Sequence, residues 1–199
     1  ADFRRRIAAD ATTRARYASA WDEIARAQRQ LAAIAARRRY AAGAGTGSTL
    51  WPLALALVQL PTEAARPDSA RLATFRGAAL ERVRGQLRAT APVDLAGERV
   101  ALTAWLASMQ RELGPADPLV RALLAGHTPA QAAEALVTGT RLGDATARAA
   151  LLDGGVSAIA ASRDPLVVAA RAADAAFRPV NAEGTRLDAI VAANAERIG

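Results

Sequence analysis

Residues 117–139 read DPLVRALLAGHTPAQAAEALVTG, and this stretch decides the fold class. Asp117 followed by Pro118 opens a helix that Gly126 closes, and Thr128 followed by Pro129 opens the next, which Gly139 closes. The oxygen of an Asp or Thr side chain accepts orphan amides at a helix start. Pro is tolerated in the first turn, where its missing N–H has no partner anyway, and Gly ends a helix with little strain. Between these marks stand mostly Ala, Leu and Val. The same unit recurs toward Asp188, with Asp164-Pro165 opening a further helix, but period and identity are too loose for a named solenoid repeat. The reading is an all-α protein: an array of long and short helices whose brief capped loops make neighbours nearly antiparallel.

Composition agrees. A chain of 199 residues suits one domain or two small ones and can bury a core. Hydrophobic residues make up 52% but aromatics only 4%, so the apolar mass is Ala, Leu, Val and Ile, which favours close helix contacts over a sheet sandwich. All 26 basic residues are Arg and none is Lys; against 19 acids the net charge is +7. Such a charge could attract nucleic acid or an anionic surface. The arginines are nevertheless interleaved with Asp and Glu in every segment, which is the pattern of a solvated surface. The absence of Cys excludes disulfides, thiolate metal sites and Cys nucleophiles. No stretch approaches the roughly 18 apolar residues of a membrane span, and the first residues lack the apolar segment of a signal peptide. A first residue Ala1 and a last helix stopping at Gly199 lead to the expectation of a piece of a longer protein.

Along the chain, Phe3, Ile7, Tyr17, Trp21, Ile24, Leu31 and Ile34 stand at helical spacing, so residues 1–42 read as a helical arm. Residues 43–48, Gly-Ala-Gly-Thr-Gly-Ser, read as a linker, and 49–199 as a helical cap or insertion domain. Leu50 to Val58 is apolar on nearly every side and reads as a buried helix, followed by a break bracketed by Pro61 and Pro67. Asp68 or Ser69 then caps a helix through Leu87, and Pro92 ends the next break. Asp94 caps one carrying Val100, Leu102, Trp105, Leu106, Met109 and Leu113, closed by Gly114-Pro115. Thr185, with Asp188 three positions on, opens a last helix.

Side chains able to do chemistry are scarce. The single histidine, His127, lies in a two-helix corner with no partner supplied by its neighbours, and reads as a structural loop residue. One His rules out multi-His metal sites. Residues 43–48 resemble a phosphate loop only superficially, since the Walker form needs Gly-Lys-Ser/Thr and this chain has no Lys. Asp22 and Glu23 are adjacent and point to different helix faces, as surface charges do. The stretch from Thr128 to Leu136, with Thr146 and Arg148 beyond, mimics a helix-turn-helix. Its second helix, however, starts on Asp144 and lacks a base-reading cluster, and Thr128 with Gln131 fits a capping box. Trp21, Trp51 and Trp105 read as core anchors. The sequence therefore supplies no catalytic residue, no cofactor-binding residue and no metal ligand set.

Five segments carry a resemblance: Trp51 to Val58, Arg71 to Arg76, Glu112 to Val120, Leu136 to Leu142, and Ser162 to Arg171. The last is the most specific, an Asp-Pro helix start followed by two apolar residues, two further positions and Ala-Arg, downstream of Gly139-Thr140-Arg141-Leu142. Together they resemble the helical domain of the bacterial serine exopeptidases that include dipeptidyl-peptidases 7 and 11, and Tyr17 to Ile24 is similar to the helical arm before it. Leu166 stands where the family would have Met, and the segment after Phe177 is weakly similar.

The resemblance implies a parent enzyme with a chymotrypsin-like double β-barrel bearing Ser, His and Asp, which removes dipeptides from free N-termini. This chain would be its helical cap, inactive alone, with the nucleophile beyond Gly199 and the His and Asp before Ala1. The implied partners are the catalytic barrel of the same polypeptide and, in the parent, a peptide substrate, with neither nucleic acid nor membrane and no cofactor. The resemblance also implies a parent that acts in the periplasm, and a homodimeric parent is compatible with it. Two other readings stay open at this point: an Arg-rich nucleic-acid binder and a free-standing protein-interaction module.

Overall fold

The computed structural model describes residues 11–64, 85 and 93–198. Among them are eight helices and no strand: α1 (Ala11–Ala41), α2 (Leu50–Ala64), α3 (Leu95–Leu113), α4 (Pro118–Leu124), α5 (Pro129–Thr138), α6 (Ala145–Asp153), α7 (Gly155–Ala161) and α8 (Pro165–Ile198). The fold is all-α. No helix among the described residues is long and apolar enough to cross a membrane. The helix expected from Asp68 or Ser69 lies outside the described residues. The chain divides into two compact units, Arg39–Phe177 and Ala1–Arg38 with Arg178–Gly199.

Within Arg39–Phe177, helix starts follow the punctuation of the sequence. Asp94, Asp117 and Asp144 each accept an amide two residues on, from Ala96, Leu119 and Thr146, at 3.0, 2.9 and 2.8 Å. Thr128 and Gln131 form the reciprocal capping box. These caps matter because helices as short as α4 and α5 are marginal in isolation and depend on packing. That packing is one core, in which Leu50, Trp51 and Leu57 of α2, Leu102, Leu106 and Met109 of α3, and Leu166, Val167 and Ala170 of α8 are fully or almost fully buried. Each large side chain withdrawn this way contributes about 1.5–3 kcal/mol. Helix α5 packs chiefly on α3, not on α6, so the helix-turn-helix pairing does not form.

The linker stretch is a built turn. Gly43 adopts φ +71°, a left-handed conformation that side chains disfavour, and a Cβ there would lie 2.9 Å from Trp51 Cδ1. Trp105 packs against Trp51 in a tilted arrangement, ring centroids 5.2 Å apart, and donates its indole N–H to the Ala44 carbonyl at 3.3 Å. Ser48 accepts the Trp51 amide at 2.9 Å and so caps α2.

Several expectations need correction. Helix α2 runs past Pro61 to Ala64, so the break does not begin there. The first left-handed residue after α4 is Ala125, at φ 47°, with Gly126 following at φ 85°. Gly139 is right-handed, at φ −97°; its lack of a side chain serves a close approach instead, since a Cβ would meet Pro165 Cγ at 2.8 Å.

Within the other unit, Ile34, Ala27 and Leu187 form a small core, with Leu31, Val180, Ile190 and Val191 packed around it. Thr185 does not open a helix, because α8 continues through it and its hydroxyl donates to the Asn181 carbonyl one turn back at 3.2 Å. Trp21 is 57% exposed rather than a core anchor, since the apolar seam runs through Ile24, Ala27 and Ile34 on another face of α1.

Candidate functional site

Two of the segments that carry the resemblance, 136–142 and 162–171, meet in one place. Asp164 caps α8, accepting the Leu166 amide at 3.0 Å and the Val167 amide at 3.5 Å. The same carboxylate accepts the Thr140 hydroxyl at 3.0 Å and the Arg141 amide at 2.7 Å, tying the loop after α5 to the start of α8. Thr140 in turn accepts the Leu142 amide at 3.1 Å, and Gly139 lets Pro165 close over the junction. Arg148, fully buried, donates to the Leu142 carbonyl, while Arg171 holds the far side through the carbonyls of Ala160 and Ser162. Beside this clamp opens a cleft of about 530 Å³, with Ala147, Ala150 and Leu151 on its apolar wall, Thr146 nearby and the exposed Arg141 and Arg163 among its lining residues.

A second polar cluster lies where α1 meets α3. Tyr40 donates to Glu112 at 2.7 Å and lies 3.2 Å from the Ser108 hydroxyl; Arg39 pairs with the same carboxylate. The Tyr40 hydrogen bond, and then the Arg39 hydrogen bond, hold the Glu112 carboxyl below the usual glutamate range. Arg39 is correspondingly raised by Glu112. A cavity of about 500 Å³ beside them is walled partly by Gly45, Gly47 and Trp105.

Third, Glu98 is buried at the start of α2. It accepts the Ser48 hydroxyl at 2.5 Å and the amides of Thr49 and Leu50 at 2.7 and 3.3 Å, and it also takes the Thr49 hydroxyl. This satisfies a carboxylate that would otherwise be costly to bury, and it complements the positive end of α2.

Of the residues considered from sequence, His127 stands exposed in the corner between α4 and α5, its backbone N–H bonded to the Leu124 carbonyl at 2.8 Å. Arg148 is buried and gives its guanidinium to a backbone carbonyl, so it is not presented to a phosphate. Asp22 is exposed, but Glu23 accepts from the buried Asn194 at 2.9 Å and is more than a surface charge. Among the described residues, no group of three or more His, Asp or Glu is placed to hold a metal ion. Sequence reasoning missed Glu98 and Asn194: first-turn position alone makes Glu98 look like a simple dipole complement, and nothing local to Asn194 announces its partner 171 residues away.

The sequence model of the peptidase S46 family matches residues 1–198. The chain belongs to that family. No curated protein and no solved structure matches it. Family membership makes this a dipeptidyl-peptidase-related protein of the serine peptidase type. Its family-like segments at 136–142 and 162–171 are thus the ones joined by the Thr140–Asp164 clamp.

Proposed function

We propose that this chain is the non-catalytic helical cap of a serine dipeptidyl-peptidase. It covers the active-site cleft of a double β-barrel in the same polypeptide and helps restrict entry to unblocked peptide N-termini. The observation that carries this reading is the family match over residues 1–198, taken with what the matched segments do in space. Thr140, Asp164 and Arg171 are spent on holding helices together, and none is paired as a nucleophile with a base. On the same reading the barrel and a peptide substrate are the partners, the parent acts in the periplasm, and a homodimeric parent is compatible with it.

The test compares hydrolysis of a dipeptidyl chromogenic substrate by this chain and by a polypeptide extended at both ends into the barrel sequence. The chain alone gives no turnover and the extended form is active. Turnover by the chain alone, or an inactive extended form that is folded, overturns the reading. The nucleic-acid alternative draws no support from Arg148, which lies inside the core.

A further inference from the structure

We propose that the cleft beside the Thr140–Asp164 clamp binds a peptide carboxylate, with Arg141 and Arg163 as its two cationic contacts. The choice of a peptide rests on the proposed cap function; the choice of a carboxylate rests on the cleft itself.

Both arginines are exposed and line the cleft, and among the described residues neither guanidinium has a hydrogen-bonding or ionic partner. Most other charged contacts in this unit are already made: Arg39 with Glu112, Arg99 with Glu134, and Arg171 with two carbonyls. The acidic side chain lining the cleft, Asp164, is engaged by the Thr140 hydroxyl and by the amides of Arg141, Leu166 and Val167 at the positive end of α8, which offsets its charge and leaves the two guanidiniums in excess at the cleft.

That clamp also holds the two cations. The Arg141 amide is bonded directly to Asp164, and Arg163 is the residue immediately before it. The clamp therefore fixes the backbone from which each arginine departs, so that the ordering opposing binding is confined to the two side chains. Guanidinium forks match carboxylates in geometry and charge. The wall of Ala147, Ala150 and Leu151 leaves room for small apolar side chains next to the bound group.

The experiment is isothermal titration calorimetry of this chain with N-acetyl-pentaalanine bearing a free C-terminus, its C-terminal amide, the amidated peptide with Glu at its centre, and inorganic phosphate. A peptide with a carboxylate binds about tenfold tighter than the neutral amide; binding by the free-terminus or the Glu peptide tells which carboxylate is taken. Arg141→Gln and Arg163→Gln each weaken that binding about tenfold. Thr140→Val, which loosens the clamp and leaves both arginines, weakens it as well. Equal binding of the neutral amide, no binding of any peptide, insensitivity to the double Arg→Gln change, or phosphate bound as tightly as the peptides overturns the proposal. The extension assay for the cap function reads turnover and is independent of this calorimetry, so either can fail while the other stands.

Discussion

The unit Arg39–Phe177 and the unit formed by 1–38 with 178–199 stabilise Ala-rich helices in different ways. In the first, helices of seven to ten residues such as α4, α5 and α6 are held by dedicated N-caps and by a shared core that includes Trp51, Leu102, Met109 and Leu166. In the second, long helical stretches meet along a thin seam of Ile34, Ala27 and Leu187, with Asn194 to Glu23 as its part-buried hydrogen bond. Short helices need tertiary burial because nucleation costs more than a few turns return, whereas long ones spread that cost over many bonds. The expected consequence is a unit of high local stability and one that opens more readily.

Four changes break or sharpen this contrast. Glu98→Ala strands the Ser48 hydroxyl and two amides at the buried start of α2, and should cost about 3 kcal/mol in urea unfolding, with Glu98→Gln costing less. A loss below about 1 kcal/mol would mean that the buried carboxylate is incidental to the dense unit. Gly43→Ala combines a left-handed backbone with a Cβ 2.9 Å from Trp51, and should cost about 2 kcal/mol. An unchanged midpoint would make that turn a true linker.

Ile34→Ala in the thin seam should cost about 2 kcal/mol or less, because a sparsely packed site can collapse. Hydrogen exchange should speed up within 11–38 and 178–198 and stay unchanged in the core of the other unit; acceleration of both would end the distinction. The smallest effect concerns Glu112. Its carboxyl is depressed in the folded protein, by Tyr40 and then Arg39, so the stabilisation is present above the unfolded value of roughly 4.3 and is lost as pH falls through the lower folded value. Tyr40→Phe should raise the Glu112 titration followed by NMR, and an unmoved titration would show that the hydrogen bond is not formed in solution.

The polar clamp shows a different use of the same chemistry. Asp144 caps its own helix through the Thr146 amide, whereas Asp164 caps α8 and also binds the loop after α5. A cap with spare lone pairs becomes a tertiary tie, and here that tie brings two family-like segments together and sets Arg141 and Arg163 around one cleft.

The sequence by itself determined the helical class, the starts of α3 to α6 and of α8, and the burial of the Leu50–Val58 run, because caps and apolar periodicity act through residues within a turn or two of one another. The family resemblance was legible for the same reason: its motifs are helix starts and packing faces in a set order. Only the tertiary structure decided that Trp21 faces outward while Trp51 and Trp105 pack against each other, that α8 runs unbroken through Pro179 and Thr185, and that Gly139 exists to admit Pro165. Glu98 reaching Ser48, Asn194 reaching Glu23 and Thr140 reaching Asp164 belong to the same class. Each joins groups 24 to 171 residues apart, and a pairing that distant follows from which helix faces are buried together, which no local pattern encodes.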